Sequence, residues 1–163
     1  VRFRQNLINN KNDKITEAIS MKVCVRILEF DAGHRVMMHE SRCKTAHGHR
    51  FRVEVHARSE ALDSVGRVID FSVLKAKIGT WIDDKWDHTF IVYEKDTKTY
   101  DALMTMPRMK DPFVLPTNPT SENLSQYLLD VVCPAELKDT GVEVFKIVLW
   151  ETPNCFAIAE LEG

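Results

Sequence analysis

The chain has 163 residues, 44% of them hydrophobic and 28% charged, with a formal net charge of −2. A chain of this size and composition folds as one globular domain with a sizeable core and leaves no room for a second full domain. The near-neutral balance lacks the electrostatic footprint of a nucleic-acid or anionic-membrane partner, so small molecules are the open class.

No apolar run approaches the roughly 20 residues needed to cross a bilayer, and the N-terminus lacks an apolar segment followed by a small-residue cleavage site. A cytoplasmic location is expected. The four cysteines, Cys24, Cys43, Cys133 and Cys155, have no framework spacing and are expected to stay thiols in a reducing compartment. Residues 1–20, VRFRQNLINNKNDKITEAIS, are polar and precede Met21, the expected functional start of a single domain over 21–163. They read as an N-terminal extension or leader, or, through Leu7, Ile8, Ile15 and Ile19, as part of an amphipathic helix.

From Met21 the expected order is strand, strand, helix, helix, strand, strand. KVCVRILEF (22–30) is rich in β-branched and aromatic residues and runs into DAGH. The second strand, about His49 to Ser59, places Phe51, Val53, Val55 and Ala57 on one face and Arg50, Arg52, Glu54, His56 and Arg58 on the other. His47 and His49 share the apolar parity. A first helix follows Asp70 or Ser72 as N-cap and sets Phe71, Leu74, Ile78, Trp81 and Ile82 at helical spacing. A long connection, Thr89 to Pro119, carries the charged turn YEKDTK. The second helix starts at Thr120 or Ser121, has Glu122 in its first turn, buries Leu124, Leu128, Val131 and Val132, and is expected to stop at Pro134. Strands at about 142–150 and 156–161, joined by TPN, read as a hairpin. The predicted fold is α+β: a four-stranded antiparallel sheet, two helices inserted between strands 2 and 3 (ββααββ) and covering one face. The mixed apolar character of VFKIVLW suggests that other subunits cover the second face.

CKTAHGHRFRVEV (43–55) carries the chemistry. Two histidines one residue apart on an extended backbone project to the same side about 7 Å apart, within reach of one ion. Alone, an HGH triplet reads equally well as a pair of solvated or hydrogen-bonded histidines. His34, at the end of the first strand, is the third candidate, because an antiparallel neighbour brings it beside HGH. Three imidazoles leave a fourth position open, the catalytic rather than the structural zinc pattern; zinc is chosen for redox-neutral chemistry, since the ligand type suits several metals.

Cys43 has two readings: a fourth ligand closing the site, or a base whose thiolate Arg42 and Lys44 would stabilise. Cys24 and Cys155 are expected as small core residues, and Cys133 as a helix end. Asp87 and His88 read as a helix end, with the histidine favoured by the dipole. Glu151, followed by Thr152 at a strand end, is able to accept two parallel N–H bonds from an amidine-like group.

FDAGH, C-x-x-x-HGH, GRVIDFSVLK, WDH, NPTSEN and ETP occur in one order from about Val25 to Ala159. In them the chain resembles the 6-pyruvoyl- and 6-carboxy-tetrahydropterin synthases of the tunnelling fold. It departs from them before Met21, in the lengthened connection 91–116 and in the ending AIAELEG, which lacks an aromatic residue. The resemblance implies that His34, His47 and His49 hold Zn2+, that Cys43 is the general base, that Asp87 and His88 form a proton relay, and that Glu151 anchors a pterin ring. It places Thr120, Glu122 and Thr152 in the substrate-binding set. It further implies trimers stacked into a hexamer, with active sites between subunits. The three-residue spacer between Cys43 and HGH looks like the carboxy branch of queuosine-type deazapurine synthesis. That branch converts dihydroneopterin triphosphate into 6-carboxytetrahydropterin, acetaldehyde and triphosphate. The pyruvoyl branch is the alternative; from another class, so is a non-catalytic zinc-binding assembly module. Arg35, Arg42, Lys44 and Lys75 are all candidate triphosphate contacts.

Overall fold

The computed structural model describes residues 21–107 and 110–162, so the expectations for residues 1–20 lie outside the described residues. Two 13-residue strands, β1 (Lys22–His34) and β2 (His47–Ser59), pair antiparallel along their whole length, from Lys22 opposite Ser59 to His34 opposite His47. The period-two pattern determines their facing: Phe51, Val53, Val55 and Ala57 are fully buried, and Leu28, Phe30, Ala32 and His34 lie beneath the same helices. Each large apolar side chain so removed from water contributes about 1.5–3 kcal/mol.

Phe71–Leu74, a π turn at Lys75–Gly79 and Thr80–Lys85 run on as one helix, α1. Asp70 is its N-cap, accepting from the Ser72 N–H. Of the residues expected inside, Leu74, Ile78 and Ile82 are buried, Trp81 packs against the core, and Phe71 is exposed; Trp86, just past the helix, is fully buried instead.

The expected connection from Thr89 to Pro119 is not a loop. It holds strand β3 (Thr89–Tyr93), helix α2 (Thr97–Met104) and strand β4 (Phe113–Leu115). β3 lies parallel to β1 and β4 parallel to β3. Strands of five and three residues with apolar side chains at successive positions show no clear alternation, which is why the pattern was silent.

Ser121–Tyr127, a π turn at Leu128–Val132 and Cys133–Leu137 form one helix, α3, with Thr120 as N-cap. It does not stop at Pro134. In the wide turn the Cys133 N–H reaches back five residues to the Leu128 carbonyl, so the ladder is already reset where proline has no N–H to give. The same turn rotates the apolar stripe: Leu129 and Cys133 are buried and Val131 is exposed, contrary to the 3.6-residue expectation. Burial pushes the Cys133 thiol up to about 12.

β5 (Glu143–Thr152) and β6 (Cys155–Glu160) close the sheet as the expected hairpin. The sheet has six strands in the order β4-β3-β1-β2-β5-β6, so the predicted antiparallel four, β1, β2, β5 and β6, are extended by a parallel pair. The face away from the helices mixes exposed Val23, Val25, Ile27, Phe156 and Ile158 with a polar stripe. The β2 arginines are paired there, Arg52 with Glu54 and Arg58 with Glu143. Among the described residues no helix is long and apolar enough to cross a membrane.

Candidate metal centre and active site

The apolar face of the β1–β2 hairpin ends in histidine. His34 is the last residue of β1 and lies opposite His47, the first of β2, with His49 two residues on along the same face. The ring centroids are 4.6 Å apart for His34–His47, 5.2 Å for His34–His49 and 4.9 Å for His47–His49. Phe51, next on that face, sets its ring edge-on to His34 and His49.

Glycine on either side of this row has a steric cause. Gly33 pairs with Gly48. A Cβ at Gly33 would meet the Phe90 ring at 2.6 Å, and one at Gly48 would sit 3.0 Å from the Ala32 carbonyl oxygen. Only hydrogen lets β1, β2 and Phe90 approach this closely.

Backbone carbonyls orient two of the rings. His34 Nδ1 is 2.7 Å from the Pro119 oxygen and His47 Nδ1 is 2.7 Å from the Thr45 oxygen. A carbonyl only accepts, so each Nδ1 carries the proton and each Nε2 keeps a lone pair. The Nε2 atoms of His34 and His49 are buried without a hydrogen-bond partner. Leaving such a group unpaired costs about 1–3 kcal/mol, which a metal ion would relieve. Burial pushes the pKa of both His34 and His49 below the ordinary value, so the lone pairs stay free at neutral pH.

Glu151 joins the group from β5. It keeps the inward parity of Ile147 and Leu149 and is the extra residue between Trp150, opposite Phe156, and Thr152, opposite Cys155. Its Oε2 accepts from the Ser121 hydroxyl at 2.7 Å, and its Oε1 lies 3.4 Å from His49 Nε2. Candidate ligand atoms of His34, His47, His49 and Glu151 all fall within 4.8 Å of one another, a set able to hold a metal ion. The donor chemistry, neutral imidazoles and a carboxylate, suits zinc. Cys43 is not in that group.

Instead Cys43 lies in a 3-10 turn (Arg42–Lys44) and, with Thr120, Ser121, Glu122, Glu151 and Cys155, lines a cleft of about 230 Å3. Two of the expected substrate-binding residues, Thr120 and Glu122, are thus brought beside Glu151. Thr152 is not in the lining; its hydroxyl accepts from the Asn154 N–H in the turn. Cys155, expected in the core, is exposed at the first position of β6, because the bulge at Glu151 ends the regular alternation there. Cys24 is half-buried against the core, as expected.

Asp87 and His88 lie apart from the cleft. Asp87 Oδ1 accepts from the Asp31 N–H at 2.8 Å, and the His88 N–H donates to the Asp31 carbonyl at 2.7 Å. His88 Nδ1 is 2.6 Å from Asp87 Oδ2, and the ring is 77% exposed. Its φ of 55° is the left-handed geometry that follows a helix end. Asp31 is bound by the Arg50 guanidinium, which holds its carboxyl below the usual range. Together they form an oriented imidazole facing outward from the chain.

The segment 118–123 contributes more than its sequence suggested. Pro119 orients His34, Ser121 holds Glu151, and the Asn118 side chain exchanges two hydrogen bonds with the Met37 backbone in the loop that carries Cys43. The motif NPTSEN was the available signal: it gave the helix cap and, through the resemblance, the substrate-binding placement of Thr120 and Glu122, but not these contacts of Pro119, Ser121 and Asn118.

A sheet half-covered by two long helices, with three imidazoles at the end of its central hairpin beside a small polar cleft, defines an α+β class of protein with a side-chain group able to hold a metal ion. The family model of 6-pyruvoyl tetrahydropterin synthase matches residues 23–162, and the chain belongs to that family. The 6-carboxy-5,6,7,8-tetrahydropterin synthase of Rickettsia conorii is 35% identical over 133 residues, covering 82% of this chain and 96% of that one. Its namesake in Haemophilus influenzae is 28% identical over 132 residues, covering 78% and 90%. Among solved structures, an uncharacterized protein of Wolinella succinogenes superposes with a TM-score of 0.73 at 24% identity, covering 87% of this chain and 99% of that one. The 6-pyruvoyl tetrahydropterin synthase of Caenorhabditis elegans gives 0.64 at 21%, covering 88% and 98%; both show the shared fold.

Proposed function

We propose that the chain is a zinc-dependent 6-carboxy-5,6,7,8-tetrahydropterin synthase, a carbon-carbon lyase of queuosine-type deazapurine synthesis. It would take dihydroneopterin triphosphate and one water to 6-carboxytetrahydropterin, acetaldehyde and triphosphate. The observation that carries the reading is the convergence of His34, His47, His49 and Glu151 next to the cleft that holds Cys43. The carboxy branch rests on the relatives of that name at 35% identity and on the three-residue spacer between Cys43 and His47.

Zinc, when bound by the three imidazoles, supplies Lewis-acid chemistry that acidifies side-chain hydroxyls of the substrate. Glu151, held by Ser121, accepts the N–H edge of the pterin and turns binding energy into orientation of the reacting side chain. Thr120 and Glu122 line the same cleft. Cys43 removes a proton from the side chain. His88, its tautomer set by Asp87, presents Nε2 for the second proton transfer; its outward position fits a site completed by a neighbouring copy, in a trimer or hexamer. The partner is a small pterin rather than nucleic acid or membrane, and a cytoplasmic location accords with that substrate.

One observation favours a second reading: Glu151 lies close enough to close the metal site, as in a structural staple. Incubating the zinc-loaded protein with dihydroneopterin triphosphate and identifying products by mass separates the readings. Acetaldehyde and 6-carboxytetrahydropterin are expected; pyruvoyl product would move the chain to the other branch, and no product would leave the staple.

A further inference from the structure

The cleft that holds Cys43 is poorly suited to the charged end of the proposed substrate, with His39 the one basic side chain this chain puts in its lining. Its lining includes the carboxylates of Glu122 and Glu151 and neither lysine nor arginine. That composition suits a ring's N–H edge and repels a polyphosphate. Within this chain the better match for the tail lies outside the cleft.

A second pocket, about 520 Å3, has them. Arg35, Lys95 and Lys98 line it, and Asp96 is the one carboxylate in its lining. Asp96 is buried, 4% exposed, and its Oδ2 accepts from Arg35 Nε at 2.6 Å. That bond spends the carboxylate on one edge of the guanidinium and leaves the two terminal NH2 groups outside the contact, so the arginine is held rigid with donors to spare. Three cations less one anion leave the pocket positive by two. The hydroxyls of Thr97 and Thr99 are also in its lining.

Its place fits the tail of a substrate reacting at the imidazoles. Arg35 follows His34 directly, and Ala46, also in the lining, precedes His47. Ala46 and Phe90 are shared with the open depression lined by His47 and His49, so one continuous surface leads from these imidazoles to the cations. Lys95 and Asp96 come from the segment joining β3 to α2 and Lys98 from the first turn of α2, all within the lengthened connection.

We propose that Arg35, Lys95 and Lys98 form a linear-polyphosphate site that receives the triphosphate tail of the substrate reacting at the imidazoles. The assignment of the tail rests on the pterin-triphosphate reading above; the affinity for polyphosphate does not.

The test uses inorganic tripolyphosphate in calorimetry, with the zinc-loaded full chain and two variants at exposed positions, Lys95→Ala/Lys98→Ala and Lys98→Glu. Each is expected to bind about tenfold more weakly or worse, and the wild-type affinity is expected to fall with added salt. In turnover assays the same variants should show a raised KM for dihydroneopterin triphosphate with kcat little changed. Tripolyphosphate binding that is absent, or equal in all three proteins, overturns the site. Binding lost in the variants with KM unaltered overturns its role for the substrate and leaves a site for free polyphosphate. A protein without turnover that still loses tripolyphosphate in the variants keeps the site and removes the synthase reading.

Discussion

His34 and His47 face each other across the β1–β2 ladder with ring centroids 4.6 Å apart, and each turns its Nδ1 to a main-chain carbonyl. The pair is therefore preset to offer lone pairs inward before any ion arrives, which is the condition for a site that binds metal without reorganisation.

Acid should dismantle it. His34 and His49 have pKa values lowered from 6.5, chiefly by burial, so below that value the unfolded chain binds protons that the native chain refuses. Stability of the metal-free protein is then expected to fall as pH drops from about 6.5 towards the lowered native values, and to be flat above it. Thermal melts across pH 5 to 8 read this, and metal analysis after dialysis should show zinc lost over the same window. In His34→Ala the zinc content should fall well below one per chain.

Cys43→Ala is expected to keep its zinc, because the thiol lies outside the group of ligand atoms, and to lose turnover by roughly two to four orders of magnitude as a positioned base does. Zinc loss in this variant would instead make the cysteine a ligand.

Trans-complementation tests the outward-facing imidazole. Cys43→Ala and His88→Ala should each be inactive alone; mixed subunits, refolded or co-expressed, should regain a substantial fraction of activity through sites that pair intact halves. The expectation follows from a His88 ring 77% exposed and absent from the cleft that Cys43 lines. Failure to recover activity in verified mixed assemblies would place the relay within one chain.

Phe51 joins core and site: it is fully buried, stacked on Phe30 at 5.0 Å and edge-on to His34 and His49. Phe51→Ala should cost about 3–5 kcal/mol in denaturant unfolding and also weaken zinc affinity, because the two rings lose their lateral support.

The central hairpin was legible because β2 alternates cleanly and β1 is rich in β-branched and aromatic residues, and with it the convergence of His34, His47 and His49. The helix starts were legible from Asp70 and Thr120, whose side chains do accept the capping bonds. Less was available where the period changes. The π turn in α3 shifts its stripe, so Val131 reads as core and is exposed, while Leu129 is buried. β3 and β4 are too short and too evenly apolar to announce themselves. Main-chain acceptors leave no trace in residue type, and so the parts of Pro119 and Thr45 in orienting imidazoles could be found only in three dimensions.

Gly48 carries a consequence for how finely the triad is tuned. With only 3.0 Å between a would-be methyl carbon and the Ala32 oxygen, the obstacle is main chain and has no rotamer to escape into. Any side chain there would be accommodated by sliding β1 and β2 apart, and the separation of His34 from its two companions would widen with them. The distance between the ring nitrogens is thus gauged by the absence of a single carbon atom at a residue that offers no ligand atom of its own.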